Sequence, residues 1–470
     1  MTHAVPSRPM PADDRPYDIG IIGGGAGGVL TALHALRLAR TAVRIVLFEP
    51  APTLARGVAY ATTRAEHLLN VPVRRMSAFD AAPDDFLDYV AATSPADGPD
   101  RDALAHRYAE RRRYGDYLMT RLRQARDASA ASLEIRRQQV TALQVADGRY
   151  RLTTEDGQTL VCAGVVLAVG NRPRPLPARG ASGLAATARL EAWDFDAIAE
   201  IPADADVCIV GSGLSMVDAV LTMARNGHRG RVHVLSRHAL LPLAHTAYAV
   251  AEFDVEALLP LDLRGRIRFL RRAAAEASSR QLPWQAVMER LRPHGQALWQ
   301  SLTPADQRRF LRHAVRLWDV HRHRIAPSVQ ACLAAMRGRG QLRLHRGRLD
   351  TAMPVGPRIR LSLRMRDGRS QQLDVDRIIN ATGVEMRVQT MRNPLLSDLL
   401  GRGHAQPGTH GIGLKTAHDG SLVDADGNPQ PGLIAIGSLR IGCLWESIAV
   451  PELRGQAEAA ARQLLALQER

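Results

Sequence analysis

The sequence predicts an α/β protein with two Rossmann-like dinucleotide-binding domains and a helical insert. Three observations carry this. A strand, a glycine turn and a helix are legible in "YDIGIIGGGAGGVLTAL", residues 17–33, and again in "DVCIVGSGLSMVDAVL", residues 206–221. Each unit runs on into a second apolar strand, "VRIVLFE" ending at Glu49 and "RVHVLSR" ending at Arg237, which makes each a βαβ unit. Between them and the C-terminus, residues 252–336 are helical in pattern with few strand signals.

The chain of 470 residues is too long for one ordinary core. Hydrophobic residues make up 46% and charged residues 23%, which suits a soluble globular protein. Aromatic residues are only 4%, so the core must be aliphatic. The net charge of +15 raises nucleic acid as a partner. Yet every basic residue except Lys415 is Arg, and the arginines are scattered without a basic tail. That is the mark of a GC-rich coding sequence, not of a binding face, so no nucleic-acid partner is expected. Cys162, Cys208, Cys332 and Cys443 lie far apart with no CxxC. A dithiol redox centre of the disulfide-reductase kind is therefore not expected, and a reducing cytoplasm fits. Residues 1–16 are polar and read as a disordered tail, not a signal peptide. No run reaches the ~18 apolar residues of a membrane span.

In chain order, residues 17–185 and 384–470 are expected to form the first dinucleotide domain. Residues 186–251 and 337–383 form the second, and 252–336 the helical insert, whose position suggests a lid. Residues 134–169 read as short strands turning at Asp147-Gly148 and Asp156-Gly157, closed by Gly170. Residues 341–379 return to strands that end in "RIINATG".

In the first turn, Gly23 permits the bend, Gly25 admits a pyrophosphate to the backbone, and Gly28 lets helix and strand pack closely. Ala26 and Gly27 open the helix, whose N-terminus offers N–H groups to phosphate. Glu49 closes the next strand where a carboxylate takes ribose hydroxyls, which favours the ADP-ribose of FAD or NAD. In the second turn Gly211 and Gly213 are kept, and Leu214 and Ser215 open the helix, but Met216 stands at the third glycine position. Its strand ends in Ser236-Arg237 with no acid, a hydroxyl and a guanidinium suited to the 2′-phosphate of NADPH. The expected cofactors are thus FAD in the N-terminal unit and NADPH in the second, with hydride passing between them. His228 and His238 read as solvated loop residues.

These turns stand with "GVAYATTRAEHLLNVPVRRMSAF", "RRRYGDYL", "WDVHRHRIAP", "INATG" and "GSLRIGCLWESIAVPELRGQA". From Asp18 to about Leu465 the set resembles the bacterial FAD/NAD(P)-binding proteins related to the N-hydroxylating flavin monooxygenases. The resemblance implies that Thr382 and Gly383 link the domains and that Gly437-Ser438 replaces the Gly-Asp pair met near the flavin ribityl chain. It implies an NADPH-dependent FAD monooxygenase that hydroxylates the nitrogen of a small amine or amino acid through a C4a-hydroperoxyflavin, with O2 as co-substrate. The Baeyer–Villiger and aromatic-hydroxylase fingerprints are absent. The alternative is a non-oxygenating FAD oxidoreductase that passes electrons from NAD(P)H to a small acceptor or partner protein. A membrane partner is not expected, and a homo-oligomer is compatible with the sequence.

Such chemistry asks for a dry pocket and a polar contact near the flavin. Asn70 is the first choice for that contact, beside Val71, with Arg74, Arg75 and Met76 close by. Arg113, Tyr114 and Tyr117 are expected to face the same pocket. In "WDVHRHRIAP", Arg322 or Arg324 offers a fork for a substrate carboxylate. Asp319 and His323, four apart, suit a pair; His321 and His323, two apart, are a poor metal pair, and no metal is expected. His245 reads as structural or as a nicotinamide-site residue. "GCLWESIAVPEL" is expected to begin the last helix, with Trp445 and Glu446 bordering the substrate pocket.

Overall fold

A computed structural model describes residues 15–95, 98 and 100–468. The tail expected at residues 1–16 lies outside them, but for its last two residues. The first domain holds β1 (Tyr17–Ile22), β2 (Arg44–Phe48), β3 (Ser132–Arg136), β4 (Val140–Ala146), β5 (Arg149–Thr154) and β6 (Thr159–Leu167). The second holds β7 (Arg189–Glu191), β8 (Val207–Val210), β9 (Val232–Ser236), β10 (Leu342–Val355), β11 (Arg358–Met365), β12 (Ser370–Val375) and β13 (Arg377–Asn380). The chain then returns to the first sheet with β14 (Ser421–Val423) and β15 (Pro429–Ala435).

The first sheet runs β14-β15-β6-β1-β2-β3, and β15, β6, β1, β2 and β3 pair in parallel. β1 is apolar and almost wholly buried, as a central parallel strand covered on both faces must be. β6 is long enough to serve twice. Its first half pairs with β5 of an antiparallel meander, and its second half with β15. The meander turns at Asp147 and Gly148, both with positive φ (50° and 70°), the hairpin geometry that Asp-Gly favours. Helix Ala26–Leu38 packs on the sheet between Arg111–Ala128 and the C-terminal helix Val450–Gln468, sharing one core of Leu30, Leu33, Leu118, Ala457 and Leu464.

The second sheet runs β12-β11-β10-β9-β8-β13-β7, parallel from β10 to β7 and antiparallel in the β10–β12 meander. Helices Leu214–Arg225 and Pro327–Gly338 cover one face, with Met216, Val220, Val329 and Leu333 in a common core. Pro327 sits in the first helical turn, where its missing N–H costs nothing. The chain crosses between domains twice at one place. Pro173 and Val384 bridge antiparallel, and Arg174 N–H donates to Gly383 O at 3.0 Å. Ala181 and Leu184 already pack on the second sheet.

The long β9–β10 connection holds helices Leu263–Ser279, Trp284–Leu291, Gly295–Gln300, Pro304–Arg309 and Val315–Arg322, with a π-helical turn at Phe310–Ala314. This insert sits on the segment that follows β15. Trp299 Nε1 donates to Gly442 O at 2.9 Å and Gln296 Nε2 to Glu446 O at 2.7 Å.

His233 on β9 and His345 on β10 meet at 2.9 Å, Nδ1 to Nε2. Burial first, then the neighbouring imidazole, holds His233 down at about 4. Its unfolded value is near 6.5, so below that pH the unfolded chain takes up a proton that the folded chain refuses. This contribution to stability is intact above pH 6.5 and falls away towards pH 4. Melting curves should show stability dropping by up to about 2 kcal/mol between pH 6.5 and 5 from this site. His233→Phe should make the profile flatter over that range; a profile as steep as the parent's would contradict the assignment.

Candidate active site

At the end of β1 the chain reverses at Gly23 (φ 107°), where a Cβ would stand 2.3 Å from Ala168 O. A Cβ on Gly28 would stand 1.8 Å from Gly23 O, so the helix lies hard against the turn. Gly25 is different. A Cβ there would meet only Gly57 Cα, at 3.8 Å. Gly25 caps helix Ala26–Leu38, and the first N–H groups, at Ala26 and Gly27, make no hydrogen bond among the described residues. An open cradle of N–H donors at the positive end of a helix is an anion site, and a pyrophosphate fits it. Glu49 is held at its rim: Oε2 accepts from Gly24 N–H at 2.7 Å and Oε1 from Ala51 N–H at 3.0 Å.

The second turn repeats the arrangement. Gly211 has φ 116°, and a Cβ there would stand 2.0 Å from Ala381 O. Nothing lies within 4 Å of a Cβ on Gly213, which caps helix Leu214–Arg225. Ser215 Oγ accepts from Trp193 Nε1 at 3.3 Å, and Met216 is wholly buried. Ser212 Oγ bonds Ser236 Oγ at 3.0 Å and Leu240 O at 2.7 Å, which fixes the end of β9. Beyond it Arg237 is exposed. Partial burial, then the charges of Arg316, Arg348 and Arg174, lower its pKa. His238 is lowered by burial and by Arg237, Arg346, Arg316 and Arg366, so it is not a freely solvated loop residue. Among the described residues only Arg316 of these arginines has an acid, Asp319 at 2.9 Å. The strand end carries unbalanced positive charge, suited to a multiply charged anion.

The two domains are joined by the segments that follow β6 and β13. Ser438 Oγ donates to Gly170 O at 3.0 Å and joins the ends of β6 and β15. Gly437 (φ 65°) donates its N–H to Gln456 Oε1 at 2.9 Å. Thr382 Oγ1 donates to Asn380 Oδ1 at 2.7 Å, and Gly383 (φ 93°) has open space around it. Asn70 and Val71 are half-buried. His245 Nε2 donates to Asn70 O at 2.9 Å, and burial holds His245 at about 4, hence neutral. The Asn70 side-chain amide makes no hydrogen bond among the described residues.

The segment carrying Asn70 is fastened to the second domain by contacts that the sequence reading did not find. Arg111 binds Asp218 with two bonds, 2.7 and 2.9 Å, and Asp218 is 4% exposed. His67, fully buried, reaches Asp218 O at 3.2 Å and Thr222 Oγ1 at 2.9 Å. The available signal was Asp218 itself, an acid inside the apolar run "MVDAVL".

Several expected positions lie elsewhere. Tyr114, Tyr117 and Met76 are in the first core, not facing a pocket. Tyr117 Oη donates to Asp85 at 2.5 Å, and Arg113 turns to Thr93 at 2.7 Å. Arg74 is exposed, while Arg75 pairs with Glu289. His228 is 8% exposed, buried rather than solvated. Asp319 pairs with Arg316, not with His323. Arg324 is taken by Glu289 at 2.9 Å and the Tyr248 hydroxyl at 3.1 Å. Arg322 lies 3.1 Å from Glu446, which also accepts from Trp318 Nε1 at 3.0 Å. The last helix begins at Val450, not at Gly442, because Trp445 (φ 61°, ψ −60°) breaks the path. Trp445 stacks on Trp299 with centroids 5.0 Å apart and meets Phe310 edge-on at 5.3 Å. No group of three His, Cys, Asp or Glu that could hold a metal occurs among the described residues.

Residues 20–172 match the model of a family described as FAD-NAD(P)-binding. No curated protein matches the chain by sequence. Solved structures match it over nearly its full length. The ornithine N-hydroxylase of Kutzneria sp. 744 has a TM-score of 0.65 at 16% identity, covering 97% of this chain and 100% of that one. The L-lysine 6-monooxygenase of Pseudomonas syringae has a TM-score of 0.68 at 20% identity, covering 96% and 99%. The fold is that of the N-hydroxylating flavin monooxygenases. The cadaverine monooxygenase of Erwinia amylovora shares it at a TM-score of 0.66 and 13% identity, covering 96% of this chain and 94% of that one. Thioredoxin reductase of Lactococcus lactis is more distant, with a TM-score of 0.53 at 11% identity, covering 96% and 98%. Among the described residues no helix is long and apolar enough to cross a membrane.

Proposed function

We propose that this chain is an FAD- and NADPH-dependent monooxygenase that hydroxylates the nitrogen of a small amine or amino acid. The observation that carries the reading is the pair of open helix-capping glycines, Gly25 and Gly213, in a chain whose whole length shares the N-hydroxylase fold. Two dinucleotides are thereby given separate cradles. In the overall reaction NADPH gives a hydride, one atom of O2 joins the amine nitrogen, and the other leaves as water. Bound FAD supplies the electron transfer and oxygen activation.

The chain's own residues bind and orient. Gly25, Ala26, Gly27 and Glu49 take the pyrophosphate and ribose of FAD, and Gly170, Gly437 and Ser438 line its path towards the junction. Gly213, Leu214 and Ser215 take the NADPH pyrophosphate, with Thr382 and Gly383 on the open side. Asn70 offers an unused amide at the junction, and His245 fixes its backbone. The Arg111–Asp218 clamp holds that segment on the nicotinamide domain. A disulfide-reducing role finds no support: Cys162 and Cys208 are buried, which pushes both thiols up to about 12, and all four cysteines are free.

Arg237 and Ser236 select NADPH by its 2′-phosphate. Arg237→Ser should raise the KM for NADPH about tenfold to a hundredfold and leave that for NADH nearly unchanged. Equal loss with both coenzymes would remove Arg237 from the phosphate site. The reading as a whole is tested by incubating holoprotein, NADPH and 18O2 with amines and amino acids. A product heavier by one labelled oxygen supports it; NADPH oxidation that yields only hydrogen peroxide with every amine overturns it in favour of electron transfer.

A further inference from the structure

The two chain crossings between the domains lie side by side, where Pro173 bridges Val384. Two neighbouring crossings make a hinge, and only an attachment elsewhere can fix its angle. Arg111, His67 and Asp218 supply one. Asp218 stands on helix Leu214–Arg225, which opens at Gly213. Arg111 begins helix Arg111–Ala128, which packs on helix Ala26–Leu38, the helix that Gly25 caps. The Arg111–Asp218 pair thus ties the helix of the second glycine turn to the neighbour of the helix of the first.

The pair is a two-bond fork at 2.7 and 2.9 Å. The Arg111 N–H donates to His67 O at 2.9 Å and its Nε to Leu68 O at 3.0 Å, which fixes the guanidinium on the first domain. His67 Nε2 faces Asp218 O at 3.2 Å and Thr222 Oγ1 at 2.9 Å. A carbonyl only accepts, so Nε2 carries the proton and Nδ1 accepts from the Thr62 hydroxyl at 2.7 Å. The Phe195 ring, from the second domain, lies 4.4 Å from the imidazole. Thr62, His67, Asp218 and Thr222 are all buried. A buried ion pair adds little stability over an apolar pair of the same volume. What it adds is direction, because a fork on a carboxylate fixes one angle and one distance. Hydride transfer depends on such fixing, since a misplacement of about 1 Å costs about a hundredfold in rate.

We propose that Arg111, Asp218 and His67 are positioning residues that hold the coenzyme domain at one angle to the flavin domain, so that hydride passes without domain rotation. This role rests on the two-dinucleotide reading and not on the oxygenation step. Asp218 lies more than a helical turn beyond Gly213, so its loss leaves the Leu214 and Ser215 N–H groups in place.

The test is anaerobic stopped-flow reduction of the FAD-loaded protein over a range of NADPH concentrations, which separates coenzyme affinity from the limiting rate. Arg111→Lys keeps the charge and loses the fork. Its limiting rate of flavin reduction should fall about tenfold while NADPH affinity, FAD content and melting temperature hold. The double variant Arg111→Met/Asp218→Leu removes both charges together and should fold as well as the parent. Its limiting rate should fall about a hundredfold, because apolar contact has no direction. An unchanged limiting rate in either variant overturns the proposal. So does weakened NADPH affinity with the rate intact, which would give the pair to coenzyme binding. A rate that falls only in step with FAD content or melting temperature overturns it too, as the mark of a merely structural link. A parent protein that NADPH does not reduce overturns this role and the two-dinucleotide reading together. The rates decide the matter even where peroxide is the sole oxygen product, so failure of the clamp and failure of N-hydroxylation are read apart.

Discussion

A Gly25→Val variant should fold with a near-parental melting temperature and purify without its flavin. Gly25 has φ −67° and ψ −170°, a conformation open to any residue. Its Cβ would have only Gly57 Cα in reach, at 3.8 Å. The valine methyls would instead fill the cradle in which the pyrophosphate meets the helix N–H groups. Losing two charge-assisted hydrogen bonds costs roughly 3 kcal/mol or more, and that is about a hundredfold in affinity. The absorbance ratio of flavin to protein reads the loss directly. Gly28→Val is the contrasting control, since its Cβ would lie 1.8 Å from Gly23 O and folding itself should fail. A Gly25→Val protein that retains stoichiometric FAD would show that the cofactor does not sit on this turn.

Gly213→Val should separate the two cofactors. It caps its helix at φ −89°, and nothing stands within 4 Å of a Cβ. The variant should keep FAD, keep its stability, and lose NADPH-driven flavin reduction about a hundredfold at low coenzyme concentration. Anaerobic mixing with NADPH measures this, and dithionite reduction checks that the flavin is otherwise sound. Normal reduction by NADPH would place the coenzyme away from the second turn. Loss of FAD as well would mean that the domains are not independent cradles.

Both turns are legible in the sequence because glycine does something there that no other residue can. A backbone at φ 107° or 116°, packed against a neighbouring carbonyl, admits only glycine, so Gly23 and Gly211 are written into the chain. The paired strands, the Asp147-Gly148 hairpin and the helical insert follow from equally local causes. The links between elements do not. Arg111 and Asp218 are far apart in the chain, and nothing in either segment names the other. Tyr114 and Tyr117 look like site residues beside three arginines, yet their rings fill the core with Phe86. Arg322 and Arg324 look alike in "WDVHRHRIAP", and only their acids, Glu446 and Glu289, tell them apart. The start of the last helix had a local signal: Pro451 and Glu452 belong to a first turn, and this marks Val450 over Gly442.

Reduced flavin in this protein should hand oxygen to a substrate and not merely discard electrons. The most direct measurement is stopped-flow absorbance. The holoprotein is reduced with NADPH without oxygen and then mixed with aerated buffer. A transient band, belonging to neither oxidised nor reduced flavin, should persist while NADP+ is bound and then give way to oxidised flavin. Direct return to oxidised flavin with no intermediate, with and without NADP+, would contradict it.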